Sequence, residues 1–255
     1  MSILRFGGTS KNFYDSGKEG VLLLTFTNPP DKTNLTETER RLRHSTLGKD
    51  TTHSAGIGEE ATGFATLIND ISSYLFSYLA GFHIPTHFIE KASSSSMLVK
   101  HLAMIPLEVQ VHNTALGAGA RRLGLKEGTD LPFPVIEHYH KRPEQEHPLV
   151  NEFHIYAMNI ATPEQLRVMN RVASKTNVVL RSFFGRRGLK LQSLSLEFGI
   201  ANNQIIIGDE ISPRTCSLVQ QKKGRAIRHG RVPELDTYRD VHSRLYSTTS
   251  HEGNW

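Results

Sequence analysis

Residues 189–209, LKLQSLSLEFGIANNQIIIGD, decide the fold class. Leu194, Leu196 and Phe198 alternate with polar residues, which is the period of a strand that buries one face. Ile205, Ile206 and Ile207 form a second apolar run, and Ala201, Asn202 and Asn203 between the two carry turn chemistry. The pattern predicts a hairpin of strands over 189–198 and 204–209. Glu197 and Asp209 lie equally far from Asn203, so the turn is expected to set them opposite one another on neighbouring strands. Two facing carboxylates destabilise a strand pair unless a cation sits between them. A Mg²⁺ ion held by one or two carboxylates and by substrate phosphates would offset that cost. Spacing alone suits two solvent-facing acids equally well, but the apolar residues around them argue for a core hairpin.

The elements around this hairpin are mixed. Upstream, Leu166, Met169, Val172, Ala173, Thr176 and Leu180 share one face of a predicted helix over 164–184, with Pro163 suited to its first turn. Gly185 and Gly188 end it, and 237–245 predicts a closing helix downstream. The first half reads mainly as strands: 3–6 and 12–14 around Gly7-Gly8, 21–27 before Pro29-Pro30, then 88–89, 98–99 and 105–111. Leu67, Ile71, Tyr74, Leu75, Tyr78 and Leu79 recur at helical spacing. Before them, residues 31–63 lose all periodicity, which inside a compact domain predicts a mobile loop or lid. The class is α+β, with an N-terminal antiparallel sheet lobe and a C-terminal mixed lobe.

With 255 residues the chain can bury a full core, as one large domain or as two lobes around a cleft. Its 38% hydrophobic and 22% charged residues are ordinary for a soluble globular protein. The formal charge of +5 permits anionic partners, nucleotide or nucleic acid, yet part of it sits in KKGRAIRH (222–229), best read as solvated surface. One cysteine, Cys216, excludes an internal disulfide and fits a reducing cytosol. No apolar run approaches the ~20 residues of a membrane span. The expectation is a cytoplasmic protein with neither membrane nor nucleic-acid partner.

Residues 7–11, GGTSK, can offer backbone N–H groups and the Lys11 ammonium to a phosphate, although glycines in a hairpin turn are more often structural. His138, His140, His147 and His154 show no metal-ligand spacing and read as surface histidines. Neither a nucleophile elbow nor a base beside Cys216 is visible, so nucleophilic catalysis has no candidate.

Six segments then resemble one family in order and spacing: IPTHFIEK (84–91), MLVKHLAMIPLEVQVHN (97–113), RRLGLKEGTDLPFPVIEHYHK (121–141), HPLVNE (147–152), LEFG (196–199) and GDEISPRTC (208–216). The chain is identified on these as a divergent member of the SAICAR synthase family. The resemblance implies a two-lobed fold with ATP in the cleft, divided as a nucleotide-binding lobe over 1–108 and a metal- and substrate-bearing lobe over 109–255. It implies a ligase that activates a carboxylate with ATP and joins it to the amine of aspartate, with ATP and Mg²⁺ as cofactors. Expected partners are therefore a small carboxylate, an amino acid and a second copy of the chain. Residue by residue, Gly8, Lys11, Lys100 and Glu108 are expected at the nucleotide, Lys11 and Lys141 in catalysis, and Glu197 and Asp209 at the metal.

Several positions depart from the family pattern. Thr9 replaces the first of two phosphate-loop lysines, and in 64–72 Asn69 and Ser72 remain while a lysine and an asparagine are lost. His112 stands for an arginine, Ala118 for a serine, Ser195 for a lysine, His147 for an acid, Arg214 for an aspartate and Ser217 for an arginine. These losses fall on the family's substrate shell, and arginine's bidentate hold on anions is not reproduced by histidine or serine. The reading placed first is accordingly a ligase with a shifted acid substrate. The ordinary SAICAR synthase comes second and a non-catalytic binding paralogue third.

Overall fold

Two antiparallel sheets, each covered by one long helix, divide the chain between Lys100 and Ala103 in the computed structural model, which describes residues 3–7, 10–27, 59–220 and 235–246. The first sheet holds β1 (Leu4–Gly7), β2 (Lys11–Asp15), β3 (Val21–Phe26), β4 (Phe88–Lys91) and β5 (Ser96–Lys100), in the order β1-β2-β3-β5-β4. Helix α1 (Glu59–Ala80) packs on β3, β4 and β5. The second sheet holds β6 (Ala103–Thr114), β7 (Asp130–His140), β8 (Leu149–Val150), β9 (Leu189–Ala201) and β10 (Gln204–Gly208), in the order β10-β9-β6-β7-β8. A last strand, β11 (Cys216–Gln220), also pairs with β9. Short helices α2 (Gly117–Arg122) and α3 (Glu152–Ala157) sit on loops, and α4 (Pro163–Gly185) covers β6 and β9. Helix α5 (Leu235–Leu245) packs on α1.

The α4 boundaries follow from local chemistry. Thr162 accepts from the Gln165 N–H while Gln165 reaches back to the Thr162 N–H, a capping box with Pro163 in the first turn. Leu166, Met169, Ala173, Thr176 and Leu180 are buried against the second sheet, as the periodicity predicts. Helix α1 begins earlier than the sequence pattern suggests. It starts at Glu59, inside the stretch expected to be loop, because its first turns carry no apolar face to advertise them. The rest of the expected lid, 31–58, lies outside the described residues, as does the basic stretch 222–229. The expected lobe boundary at residue 108 falls within β6.

Strand β7 goes unrecognised in the sequence because Pro132 and Pro134 argue against a strand interior. Its partner β8 reaches only His138 and Tyr139, so the prolines occupy a stretch with one free edge, and the β6–β7 register shifts beside them. Where β5 passes into β6, Leu102 crosses the second hairpin tightly. A Cβ on Gly199 would lie 2.7 Å from the Leu102 Cβ and 3.1 Å from the Ala103 carbonyl, and one on Gly208 3.0 Å from Leu102 Cδ1. Both glycines thus permit the backbone approach that joins the two sheets.

Candidate functional site

The β9–β10 hairpin turns on two residues, Asn202 (φ 48°) and Asn203 (φ 59°), both in the left-handed region that a tight primed turn requires. The pairing runs from Gln204↔Ala201 to Gly208↔Glu197. This corrects the expected register by one residue. The hairpin is symmetric about the bond between the two asparagines, so Glu197 faces Gly208 and Asp209 lies just beyond the strand. Asp209 itself adopts φ 62°, leaving the strand direction.

Burial and the nearby Asp209 charge still push the Glu197 carboxyl above the ordinary carboxylate range, against the pull of Lys141. Burial would do the same to Asp209, but the ion pair and hydrogen bond from Lys11, with the Lys141 charge, together hold that carboxyl low. Lys11, at the start of β2, forms an ion pair with Asp209 and lies 3.4 Å from Glu210 Oε1. Burial disfavours its charge, yet the two acids raise its pKa overall. Lys141, just after β7, donates to Glu197 and is anchored by its own N–H on the Pro106 carbonyl. One cation from each sheet region therefore meets one acid of the hairpin.

Glu210 is the site residue that sequence reading passes over. Its side chain is 2% exposed and its Oε2 accepts from Ser212 Oγ at 2.7 Å, while Arg214 lies 3.6 Å from Oε1. The only signal was its place beside Asp209 in GDEISP. Three anchors fix this corner. Ser72 Oγ of α1 donates to the Ile211 carbonyl at 3.1 Å, the His87 N–H to Ile207 O at 2.8 Å, and the Ile207 N–H to Pro85 O at 3.0 Å. His87, buried against Phe76, is pushed down to about 4, chiefly by burial, and stays neutral.

Side chains that alternate away from the α4 core share the open face of the second sheet. Cross-strand pairs Glu108↔Glu197, Gln110↔Ser195 and His112↔Ser193 line it, with Tyr139 and Glu137 of β7 beyond. Glu108 accepts from Gln110 Nε2 at 2.7 Å. His112 Nε2 lies 3.3 Å from Glu137, which also pairs with Arg122 and accepts from Tyr139 at 2.6 Å. Burial lowers the His112 pKa despite the Glu137 charge, so the ring is neutral at pH 7. The substituted positions His112 and Ser195 thus meet on one face, whereas Ala118 lies exposed on α2. Lys100 is exposed at the end of β5, and Gly8 lies outside the described residues.

Of the four histidines read as surface groups, His147 and His154 are exposed, whereas His140 is buried and His138 bonds Asn170 at 2.8 Å. Strand β7 carries both inward-facing rings, which accounts for the difference. Among the described residues no three His, Cys, Asp or Glu side chains gather as a metal cage. Glu197 and Asp209 offer two carboxylates, a donor set that suits Mg²⁺ completed by phosphates rather than by protein. Cys216 is buried, its thiol pushed up to about 12 by burial, and is inert.

The family model for SAICAR synthetase matches residues 49–251. The phosphoribosylaminoimidazole-succinocarboxamide synthase of Chloroherpeton thalassium is 46% identical over 156 residues, 61% of this chain and 66% of that protein, just under two thirds of its length. The same-named protein of Halalkalibacterium halodurans is 36% identical over 222 residues, 87% of this chain and 85% of that one. A solved SAICAR synthetase in complex with ADP is similar at TM-score 0.79 and 26% identity, over 96% of this chain and 97% of that one.

Proposed function

The chain belongs to the SAICAR synthetase family, and from that premise we propose that it is an ATP-dependent ligase joining the carboxylate of an aminoimidazole ribonucleotide to the amine of aspartate. The observation that carries this reading is the charge cluster at the hairpin, where Lys11 and Lys141 meet Asp209 and Glu197 on the open face of the second sheet. That the similar structure is a complex with ADP supports nucleotide binding by this chain. The sequence reading ranks a shifted acid substrate first. Relatives that carry the ordinary enzyme's name at 36–46% identity favour the ordinary substrate instead.

A carboxylate is a poor acyl donor because its leaving group is an oxide. One of its oxygens forms a bond to the γ-phosphorus while the bond from that phosphorus to the ADP oxygen breaks. The aspartate amine then attacks the acyl carbon, inorganic phosphate leaves with the bonding pair, and the amine proton is lost. Mg²⁺ on Glu197 and Asp209 would neutralise the phosphate oxygens as charge moves between them. The Lys11 ammonium would hold a phosphate oxygen while shared between Asp209 and the incoming nucleotide. Lys141 would act likewise through Glu197, and Glu108 and Lys100 remain our candidates for further contacts to the nucleotide. Positioning and electrostatics of this kind supply most of the catalysis in phosphoryl transfer. The test is ADP release that requires both the carboxylated ribonucleotide and aspartate, at ~1 per second or faster. ADP release indifferent to either substrate would refute the ligase assignment.

A further inference from the structure

We propose that Arg214 binds an anionic group of the acid substrate, a proposal that rests on the ligase reading above. The geometry is specific. Lys11 Nζ at 3.4 Å and Arg214 Nη1 at 3.6 Å address the same oxygen of Glu210, Oε1, from opposite ends of the chain. Glu210 Oε2 is already filled by Ser212 Oγ at 2.7 Å, and Ser212 Oγ also accepts from the Arg214 N–H at 3.2 Å. Glu210 is thus a buried post on which two cations are hung, one from each sheet region.

Arg214 is not consumed by this contact. At 3.6 Å it makes an ion pair without a hydrogen bond, and its side chain stays 35% exposed with most of the five guanidinium donors unused among the described residues. A planar fork with free donors is the group that holds a carboxylate or phosphate by two parallel bonds. Charge balance points the same way. Lys11, Lys141 and Arg214 face Glu197, Asp209 and Glu210, so the cluster is formally neutral only with Arg214 present. A reaction that brings a carboxylate against a triphosphate must offset repulsion between two anions, and a third cation beside Lys11 stands where that is needed.

The experiment is calorimetric titration of the full chain in the presence of Mg-ADP, with aminoimidazole ribonucleotide carrying or lacking its ring carboxylate. Arg214→Gln should weaken the carboxylated ligand about ten- to a hundredfold, the loss of one charge-assisted contact. Mg-ADP affinity and the urea midpoint should be unchanged, and Arg214→Lys should recover part of the loss. A loss confined to the carboxylated ligand assigns Arg214 to the carboxylate, and an equal loss for both assigns it to the ribose phosphate. Unchanged affinity for both ligands overturns the proposal. So does a loss that tracks a fall in the urea midpoint, because Arg214 would then only neutralise Glu210. A parent protein that binds Mg-ADP but neither ribonucleotide also overturns it, whereas failure to bind Mg-ADP overturns the ligase reading itself.

Discussion

Replacing Lys11 by Met removes the cation that Asp209 and Glu210 share while leaving a side chain of similar length. The Lys11 side chain is 18% exposed, Asp209 16% and Glu210 2%, so two carboxylates would remain largely out of water with their common partner gone. Breaking a buried ion pair by deleting one member costs about 3–5 kcal/mol, and the residual exposure here places the effect near 3 kcal/mol. For a chain of this size that is a fall in Tm of roughly 6–12 °C. The pH dependence follows from the direction of the Asp209 shift. In the parent its folded pKa lies below the unfolded value, so its contribution is present above the unfolded pKa and lost as pH falls through the folded one. Without Lys11, burial dominates and the folded pKa rises above the unfolded value. The variant is then penalised at neutral pH and recovers as the carboxyl protonates on acidification. Urea unfolding followed by circular dichroism at pH 7 and near pH 5 should show the gap between parent and Lys11→Met narrowing, and millimolar Mg²⁺ should narrow it at pH 7. A gap under about 0.5 kcal/mol at pH 7, the ordinary scale of a surface substitution, would refute the claim that Lys11 neutralises a buried acid pair.

Glu197→Gln should weaken Mg-ATP binding in calorimetry with the fold intact, since an amide is a poorer ligand for a hard cation; equal affinity would move the metal elsewhere. In the nucleotide-free protein the same change should cost little, because losing the Lys141 pair is offset by relieving repulsion with Asp209. Gly199→Ala should destabilise by about 1–3 kcal/mol, as its Cβ would meet the Leu102 Cβ and the Ala103 carbonyl rather than a yielding side-chain end. An unchanged urea midpoint would mean that the sheet junction can relax. Asn69→Ala should cost about 1–3 kcal/mol, since its buried amide donates to the carbonyls of Ser93, Ser94 and Ser96; stability within error of the parent would show those carbonyls satisfied by water.

What the sequence discloses is the part of the fold governed by short-range rules. The α4 face, the proline in its first turn and the turn at Asn202 and Asn203 each follow from neighbours within a few positions. Strand β7 could not be read that way, because Pro132 and Pro134 are tolerable only where the partner strand stops short, a tertiary fact. The Glu197–Asp209 pairing was legible as an idea but displaced by one residue, since spacing from Asn203 locates the wrong centre for a two-residue loop. Glu210 was invisible for a different reason. Its importance comes from Lys11 and Arg214 reaching one oxygen, and Lys11 is almost two hundred residues away along the chain.

The arrangement also explains how the chain can depart from the family pattern at several positions and keep the acid corner intact. Asp209 and Glu210 are set by backbone anchors from other elements: the Ser72 hydroxyl on Ile211, the His87 N–H on Ile207, and Leu102 lying on Gly199 and Gly208. None of these depends on the side chains at 112, 118, 195 or 217. Those positions lie on the open sheet face, on α2 or on β11, so substitution there leaves the backbone anchors of the acids in place. Position 214 is the exception, because its side chain is hung on the same buried glutamate as Lys11. A change there leaves the Lys11–Asp209 pair in place but removes the second cation on Glu210, so of all the departures from the family pattern it is the one that stands nearest the charge cluster.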